Sequence, residues 1–149
     1  MNDMNGHDVE DLQVGMRATF AKTITEADIV LFAGVSGDNN AVHINEEFAA
    51  TTRFGGRIAH GFLTLSLLPA LTAGNTLALD GVLNAVNYGA DGLRFLAPVP
   101  AGSEVHARSK LVSAEAKGSG TLIKSEIAVH VVGAEKPSLV YQMLVLYMG

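Results

Sequence analysis

The residues of this chain best suited to chemistry are Asp38 and His43, which stand five positions apart in the segment Ser36–His43. The segment is rich in glycine and asparagine, residues that adopt the backbone angles of turns, so it is predicted to be a loop rather than regular structure. A carboxylate and a neutral imidazole held on one loop can share a water molecule, one removing its proton while the other orients it. This spacing predicts acid–base chemistry on water, such as its addition to an activated alkene.

The pair His60–Gly61 follows the loop and opens an apolar run that extends to about Leu79. The run is apolar on nearly all sides, which is typical of a buried helix, and it contains Pro69, which predicts a bend or two abutting helices. In the first turn of a helix that starts near Ala59, the Gly61 amide has no intrahelical partner and lies at the positive end of the helix dipole. That amide could stabilise negative charge on a substrate oxygen.

Simpler explanations stay open on these residues alone. Asp38 can serve only to stabilise a Gly-Asp-Asn turn, and His43 can be a hydrogen-bonded histidine of the core. His60 is better explained by packing at the start of the helix than by catalysis. His106 and His130 fall on the polar faces of predicted strands, where they are expected to be solvated.

The elements that position these residues change in character along the chain. Residues Arg17–Ile24 predict a strand, Thr25 caps a helix that stops near Gly37, and Asn45 caps a second short helix. Four further strands, joined by short turns, are predicted over residues 83–95, 103–113, 122–132 and 139–148. One early strand, then helices, then four antiparallel strands predict an α+β architecture. We expect a single domain over residues 1–149, with residues 1–14 as a polar lead-in.

Composition excludes several classes of function. Without cysteine the chain has no disulfide and no thiolate metal site, and its histidines and carboxylates match no common metal-binding spacing. A net charge of −5 with scattered basic residues argues against a nucleic-acid partner. The apolar run carries polar residues and a proline, and residues 1–13 lack the pattern of a signal peptide. We therefore expect no membrane span and a cytoplasmic location.

Two stretches of the sequence resemble a known family. The segment Gly37–His43, read Gly-Asp-Asn-Asn-Ala-Val-His, followed by Arg57–Gly61, read Arg-Ile-Ala-His-Gly, resembles the signature of the MaoC-like (R)-specific enoyl-CoA hydratases, also called hydratase 2. The segments Asn87–Gly89 and Arg94–Val99 are similar to the sheet region of these proteins. One departure lies inside the signature, because Ala41 stands where the family motif has proline.

The resemblance implies a hot-dog fold, in which a curved antiparallel sheet wraps around a long central helix, assembled as a homodimer or a dimer of dimers. It implies reversible addition of water to a trans-2-enoyl-CoA to give an (R)-3-hydroxyacyl-CoA, with no cofactor because CoA is part of the substrate. Asp38 and His43 would activate the water, and the Gly61 amide would bind the thioester oxygen. The residues implied next to the substrate or the loop are Asn40, His60 and Ser66.

Other functions on the same fold remain as alternatives. One is a non-catalytic subunit that binds acyl thioesters or pairs with an active subunit, and the Asp38/His43 pair argues against it. A second is a thioesterase, which would need a carboxylate on or beside the long helix, where the sequence offers only Asp80. A third is a dehydratase acting on acyl-carrier-protein thioesters. Of the basic residues, Arg53, Arg57 and Arg94 could meet CoA phosphates, but surface or structural roles explain them better.

Overall fold

The computed structural model describes residues 17–69 and 81–149. Five strands form one sheet in which every pairing is antiparallel. The strands are β1 (Arg17–Thr23), β2 (Asn84–Phe95), β3 (Glu104–Lys117), β4 (Gly120–Val131) and β5 (Leu139–Met148), in the order β1-β3-β4-β5-β2. The prediction of one early strand and four later antiparallel strands is confirmed.

Alternating burial along the strands defines the two faces of the sheet. On β3 the alternate positions Val105, Ala107, Ser109 and Leu111 are all buried. The strand β5 lies between β4 and β2, so its apolar side chains on both faces suit an internal strand. The register of β2 shifts between Asn87 and Gly89 and between Asp91 and Arg94, as at a β-bulge.

Four helices connect β1 to β2 in the described residues: α1 (Glu26–Ser36), α2 (Ala41–Ile44), α3 (Glu46–Ala50) and α4 (Gly61–Ser66). Thr25 caps α1 as predicted, and Asp28 completes a capping box by accepting from the Thr25 amide at 2.9 Å. The ammonium of Lys22, 2.7 Å from Asp28, also lowers the pKa of that carboxyl. Gly37 ends α1 in the left-handed region at φ 77°.

Arg57 ties α1 to α3. Its Nε donates to Glu46 Oε2 at 2.8 Å, and a second guanidinium nitrogen contacts Glu26. The hydrogen bond to Glu46 raises the pKa of Arg57 further above its ordinary value. With both carboxylates in contact and only 12% of its side chain exposed, Arg57 has the structural role expected for it rather than a free cation for a phosphate.

The start of the apolar run differs from the prediction of a helix that begins near Ala59. Ala59 is not helical, because its amide donates to the Val99 carbonyl at 2.8 Å, so α4 begins at Gly61. The helix ends at Ser66, and helical geometry resumes at Leu68–Pro69. The expected interruption therefore lies at Leu67, two residues before the proline, whose nitrogen carries no hydrogen to donate to the preceding turn. The remainder of the run, residues 70–80, lies outside the described residues, as does the polar lead-in.

The core lies between α4 and the inner face of the sheet. Leu63 and Leu68 belong to one buried cluster with Ile127, Leu139 and Tyr141. Phe62 points the other way and is 60% exposed, so this helix is not buried on all sides in a single chain. Across the described ranges, no helix has the length and apolar character needed to cross a membrane.

Candidate active site

The segment that carries Asp38 is more ordered than the sequence suggested. Residues 37–40 are irregular, but Ala41 begins α2, so the prediction of an irregular segment through His43 is wrong. The reason is local: the side-chain oxygen of Asn40 accepts from the Val42 amide at 3.2 Å and caps the new helix. Asn40 thus fixes the loop, because its side-chain oxygen is hydrogen-bonded to the backbone of the new helix.

The hydrogen bonds of His43 define the state of its ring. His43 is 9% exposed, and its Nδ1–H donates to the Ile58 carbonyl at 2.8 Å, since a carbonyl can only accept. The other nitrogen, Nε2, therefore carries a lone pair in the neutral ring. It lies 3.9 Å from Asp38 Oδ2, too far for a direct hydrogen bond, while the Asp38 side chain is 52% exposed. Such a gap suits a water molecule that contacts both groups.

His60 lies behind this pair. It is 2% exposed, and its Nε2–H donates to the backbone carbonyl of Asp38 at 3.0 Å. Its ring stacks on His43 with a centroid distance of 3.8 Å and contacts Phe32 at 4.9 Å. The structure thus brings together Asp38, His43 and His60, with His60 enclosed between rings rather than open to a ligand.

These three residues place potential ligand atoms within 4.8 Å of one another, which raises the question of a metal ion. An imidazole lone pair lies in the plane of its ring, and the two rings stack with only 28° between their planes. Their lone pairs therefore run side by side instead of converging on one ion. The cluster is better suited to a shared water than to a resident metal.

Gly61 directly follows His60 and is the first residue of α4. Its amide N–H therefore has no acceptor within the helix. A Cβ at this position would lie 2.8 Å from the ring of Phe95, closer than van der Waals contact allows. Gly61 and Phe95 line a cavity of about 390 Å³ together with aromatic and aliphatic side chains. Within the described residues, Asp38 and His43 are not in its wall.

Ser66 is not brought to this site. Its hydroxyl donates to the Phe62 carbonyl at 2.5 Å, and it lines a separate cavity of about 550 Å³ with Tyr88 and Met143. Of the arginines that could meet phosphates, Arg53 lies on the cavity next to Gly61, with its guanidinium 5.0 Å from the Phe54 ring. Arg94 donates to the Leu93 carbonyl at 2.7 Å instead.

Sequence reasoning missed two contributors to the site. The Ile58 carbonyl orients His43. This contact could not be predicted, because every residue has a backbone carbonyl and the residue type does not indicate which one will accept a hydrogen bond. Phe95 was assigned only to the sheet region, although the glycine at the helix start was a usable signal, because such a glycine often marks a close approach.

Comparison with known proteins supplies the context for this geometry. Residues 11–133 match the family model described as MaoC like domain. A 3-hydroxyacyl-thioester dehydratase Z of Mycobacterium tuberculosis is 44% identical over 128 residues, covering 85% of this chain and 84% of the relative. An (R)-specific enoyl-CoA hydratase of Rhodospirillum rubrum is 43% identical over 106 residues, covering 71% and 70%. The structure of an unliganded R-hydratase from Pseudomonas aeruginosa superimposes with a TM-score of 0.79 at 30% identity, covering 95% of this chain and 85% of that one.

Proposed function

This chain belongs to the MaoC-like family and has the hot-dog fold of its hydratases, and on that premise we propose that it adds water reversibly to a trans-2-enoyl-CoA to give an (R)-3-hydroxyacyl-CoA. Relatives named as a dehydratase and as a hydratase both support a hydro-lyase, because one enzyme catalyses the two directions of this reaction. The observation that carries the proposal is the Asp38–His43 pair, with Oδ2 and Nε2 3.9 Å apart.

The proposed first step is activation of water between the two groups. His43 Nε2 carries the lone pair and takes a proton from the water, while the exposed Asp38 carboxylate holds the second hydrogen. The water oxygen bonds to the β-carbon of the enoyl thioester, and the alkene electrons move toward the thioester oxygen. The pair then returns a proton to the α-carbon, which completes the addition.

The developing charge on the thioester oxygen needs a donor. The Gly61 amide is suited to this role because the first residue of a helix has no intrahelical acceptor for its N–H. The amide N–H itself, rather than a helix dipole, stabilises this charge, since the described helix has only six residues. No cofactor enters these steps, and the proposal includes none.

We also propose that two copies of the chain form a homodimer. In the described residues β2 forms an edge of the sheet, and its large apolar side chains are exposed in one chain, with Val86 at 42%, Tyr88 at 49% and Phe95 at 45%. An edge strand with exposed apolar residues favours pairing with another chain. Because the Asp38 carboxylate is also open to solvent, a second copy would help to enclose the substrate. A cytoplasmic location remains an expectation.

The test follows the loss of the conjugated enoyl-thioester absorbance with trans-2-enoyl-CoA substrates of four to ten carbons. We expect activity in the wild type and a fall in kcat of about 10²–10⁴-fold in Asp38→Asn and in His43→Gln. His130→Gln on the outer face of the sheet is the matched control and should keep the wild-type rate. Thermal melting of each variant separates lost chemistry from lost fold.

The outcomes distinguish the competing functions. A wild type that hydrates no substrate in this range would contradict the hydratase proposal and favour a non-catalytic binding subunit. Release of free thiol, followed in parallel, would identify a thioesterase. Activity only with acyl-carrier-protein thioesters would keep the chemistry and change the carrier. Variants of Asp38 and His43 that stay near the wild-type rate would overturn the site while leaving the reaction.

A further inference from the structure

We propose that His60 is a positioning residue, whose imidazole fixes the Asp38 backbone and the His43 ring as one rigid unit. This inference rests on the proposed function of the Asp38/His43 pair and assigns His60 a role other than substrate binding. Three observations carry it: the hydrogen bond from Nε2 to the Asp38 carbonyl at 3.0 Å, the stacking on His43 at 3.8 Å, and a second nitrogen without a partner.

The hydrogen bond is the long-range anchor of the Asp38 loop. Asp38 N donates to Ser36 Oγ, its Oδ1 accepts from the Asn40 amide, and the remaining described hydrogen bonds of residues 37–40 also stay within residues 33–43. His60, 22 positions later, is the described exception. It directly follows Ile58 and Ala59, which are tied to Pro100 and Val99 ahead of β3. Among the described hydrogen bonds of residues 37–40, the one from His60 thus ties the loop to the segment that pairs with Val99 and Pro100.

The stacking fixes the second catalytic group. The His43 ring is held at one edge by the Ile58 carbonyl, but that bond alone leaves the ring free to tilt about it. The face of His60 lies against the His43 ring. The Phe32 ring packs on His60 with a centroid distance of 4.9 Å. These contacts direct His43 Nε2 toward the space beside Asp38 Oδ2.

The third observation shows that His60 is not present for stability alone. Its Nδ1 is the buried side-chain nitrogen or oxygen of the described residues that has no hydrogen-bond partner. Leaving such an atom unpaired costs free energy, which an apolar ring of similar volume would avoid. A phenylalanine would keep the packing but could not donate to the Asp38 carbonyl. A histidine at this buried position therefore points to the Nε2–H bond as its role.

The experiment compares His60→Phe, which keeps the ring and loses the donor, with His60→Gln, whose amide can reach the Nε2 position but has no ring. We expect His60→Phe to melt at or above the wild-type temperature, with kcat lower by about 10- to 100-fold because the pair loses its alignment. Its KM should stay near the wild-type value. His60→Gln should recover part of the lost kcat. His106→Phe, a stacked histidine on the outer face, is the matched control and should keep the wild-type kcat.

Each result decides the proposal. Wild-type kcat in His60→Phe, an unfolded His60→Phe protein, or a His60→Gln variant no better than His60→Phe would overturn it. A second readout does not depend on turnover: hydrogen–deuterium exchange of the Asn39 and Asn40 amides should become faster in His60→Phe, which loses the bond to the Asp38 carbonyl, and not in His106→Phe. If the wild type hydrates no enoyl-CoA, that readout still tests the positioning role, and unchanged exchange of these amides would then overturn it separately from the proposed function.

Discussion

Gly61 is the residue at which the chemistry and the packing of this site meet. Its amide is the proposed donor to the thioester oxygen, and its missing Cβ leaves room for the ring of Phe95. The backbone there is helical and not in the left-handed region, so the glycine is required by close approach rather than by its dihedral angles. Any larger residue must displace either the ring or the start of α4.

Gly61→Ala should impair the proposed donor to the thioester oxygen. Its methyl group would lie 2.8 Å from Phe95 Cδ1 and Cε1, so α4 or the ring must shift and carry the amide away from its place. We expect kcat/KM for the enoyl thioester to fall by about 10- to 100-fold, because small misplacements of a catalytic donor are costly. Steady-state kinetics measure the effect.

Phe95→Leu in the Gly61→Ala background provides the control, because the smaller side chain removes the ring atoms that the methyl group meets. The double variant should recover part of the lost kcat/KM. No recovery would show that the collision with Phe95 is not the cause.

At the scale of elements, α2 explains how the site tolerates the departure from the family motif. Ala41 is the first residue of α2, a position where proline is favoured because its missing N–H has no helical partner to lose. Asn40, which precedes it, has φ −56° and ψ 130°, the extended geometry that a residue before proline requires. The Asn40 cap orders the turn without the proline, and the backbone remains compatible with it.

We therefore predict that Ala41→Pro stabilises the protein. A proline in a compatible conformation restricts the unfolded chain and adds about 0.4–1 kcal/mol to the free energy of unfolding. For a chain of this size that corresponds to a rise in Tm of about 1–4 °C by differential scanning calorimetry.

Val42→Pro is the matched control for Ala41→Pro. The Val42 amide donates to Asn40 Oδ1 at 3.2 Å, so proline there removes the cap and should lower Tm. If Ala41→Pro destabilised the protein as much as Val42→Pro, the first-position assignment would be wrong.

In the whole molecule, a single chain does not enclose the candidate active site. The Asp38 carboxylate faces solvent, and the cavity beside Gly61 does not include the pair in its described wall. The edge strand β2 exposes apolar side chains next to that cavity, to which Phe95 itself belongs. Pairing of two such edges would bury these residues and bring a second chain to the site.

The corresponding prediction uses Val86→Glu in β2, where Val86 is 42% exposed and its replacement leaves the core of the single chain intact. Two-fold symmetry would place the new charge twice in the interface, so the variant should shift toward a monomer. Light scattering of the wild type should give at least twice the chain mass of 15.6 kDa, and the variant should approach one chain mass. The hydratase rate should fall with the dimer.

Val132→Glu, at a residue 51% exposed beyond the end of β4, introduces the same charge away from β2 and should leave mass and rate unchanged. A wild type of one chain mass with full activity would contradict the dimer.

The sequence alone determined the features that depend on near neighbours. Thr25 and Asn45 cap the helices that they were expected to cap, because capping involves residues a few positions apart. The α+β architecture and the family signature around Asp38 and His43 follow from the same local patterns. Two local features were not predicted: the cap at Asn40 lies within a run of Gly and Asn, and the start of α4 at Gly61 depends on the Ala59–Val99 hydrogen bond.

The tertiary structure alone decided which of these residues meet. His60 reaches Asp38 across 22 positions, Phe95 packs on Gly61, and Ser66 faces a different cavity. The 3.9 Å gap between Asp38 and His43 depends on the Ile58 carbonyl and the His60 ring. Such contacts are set by how the sheet and helices pack, which residue types at fixed spacing do not specify.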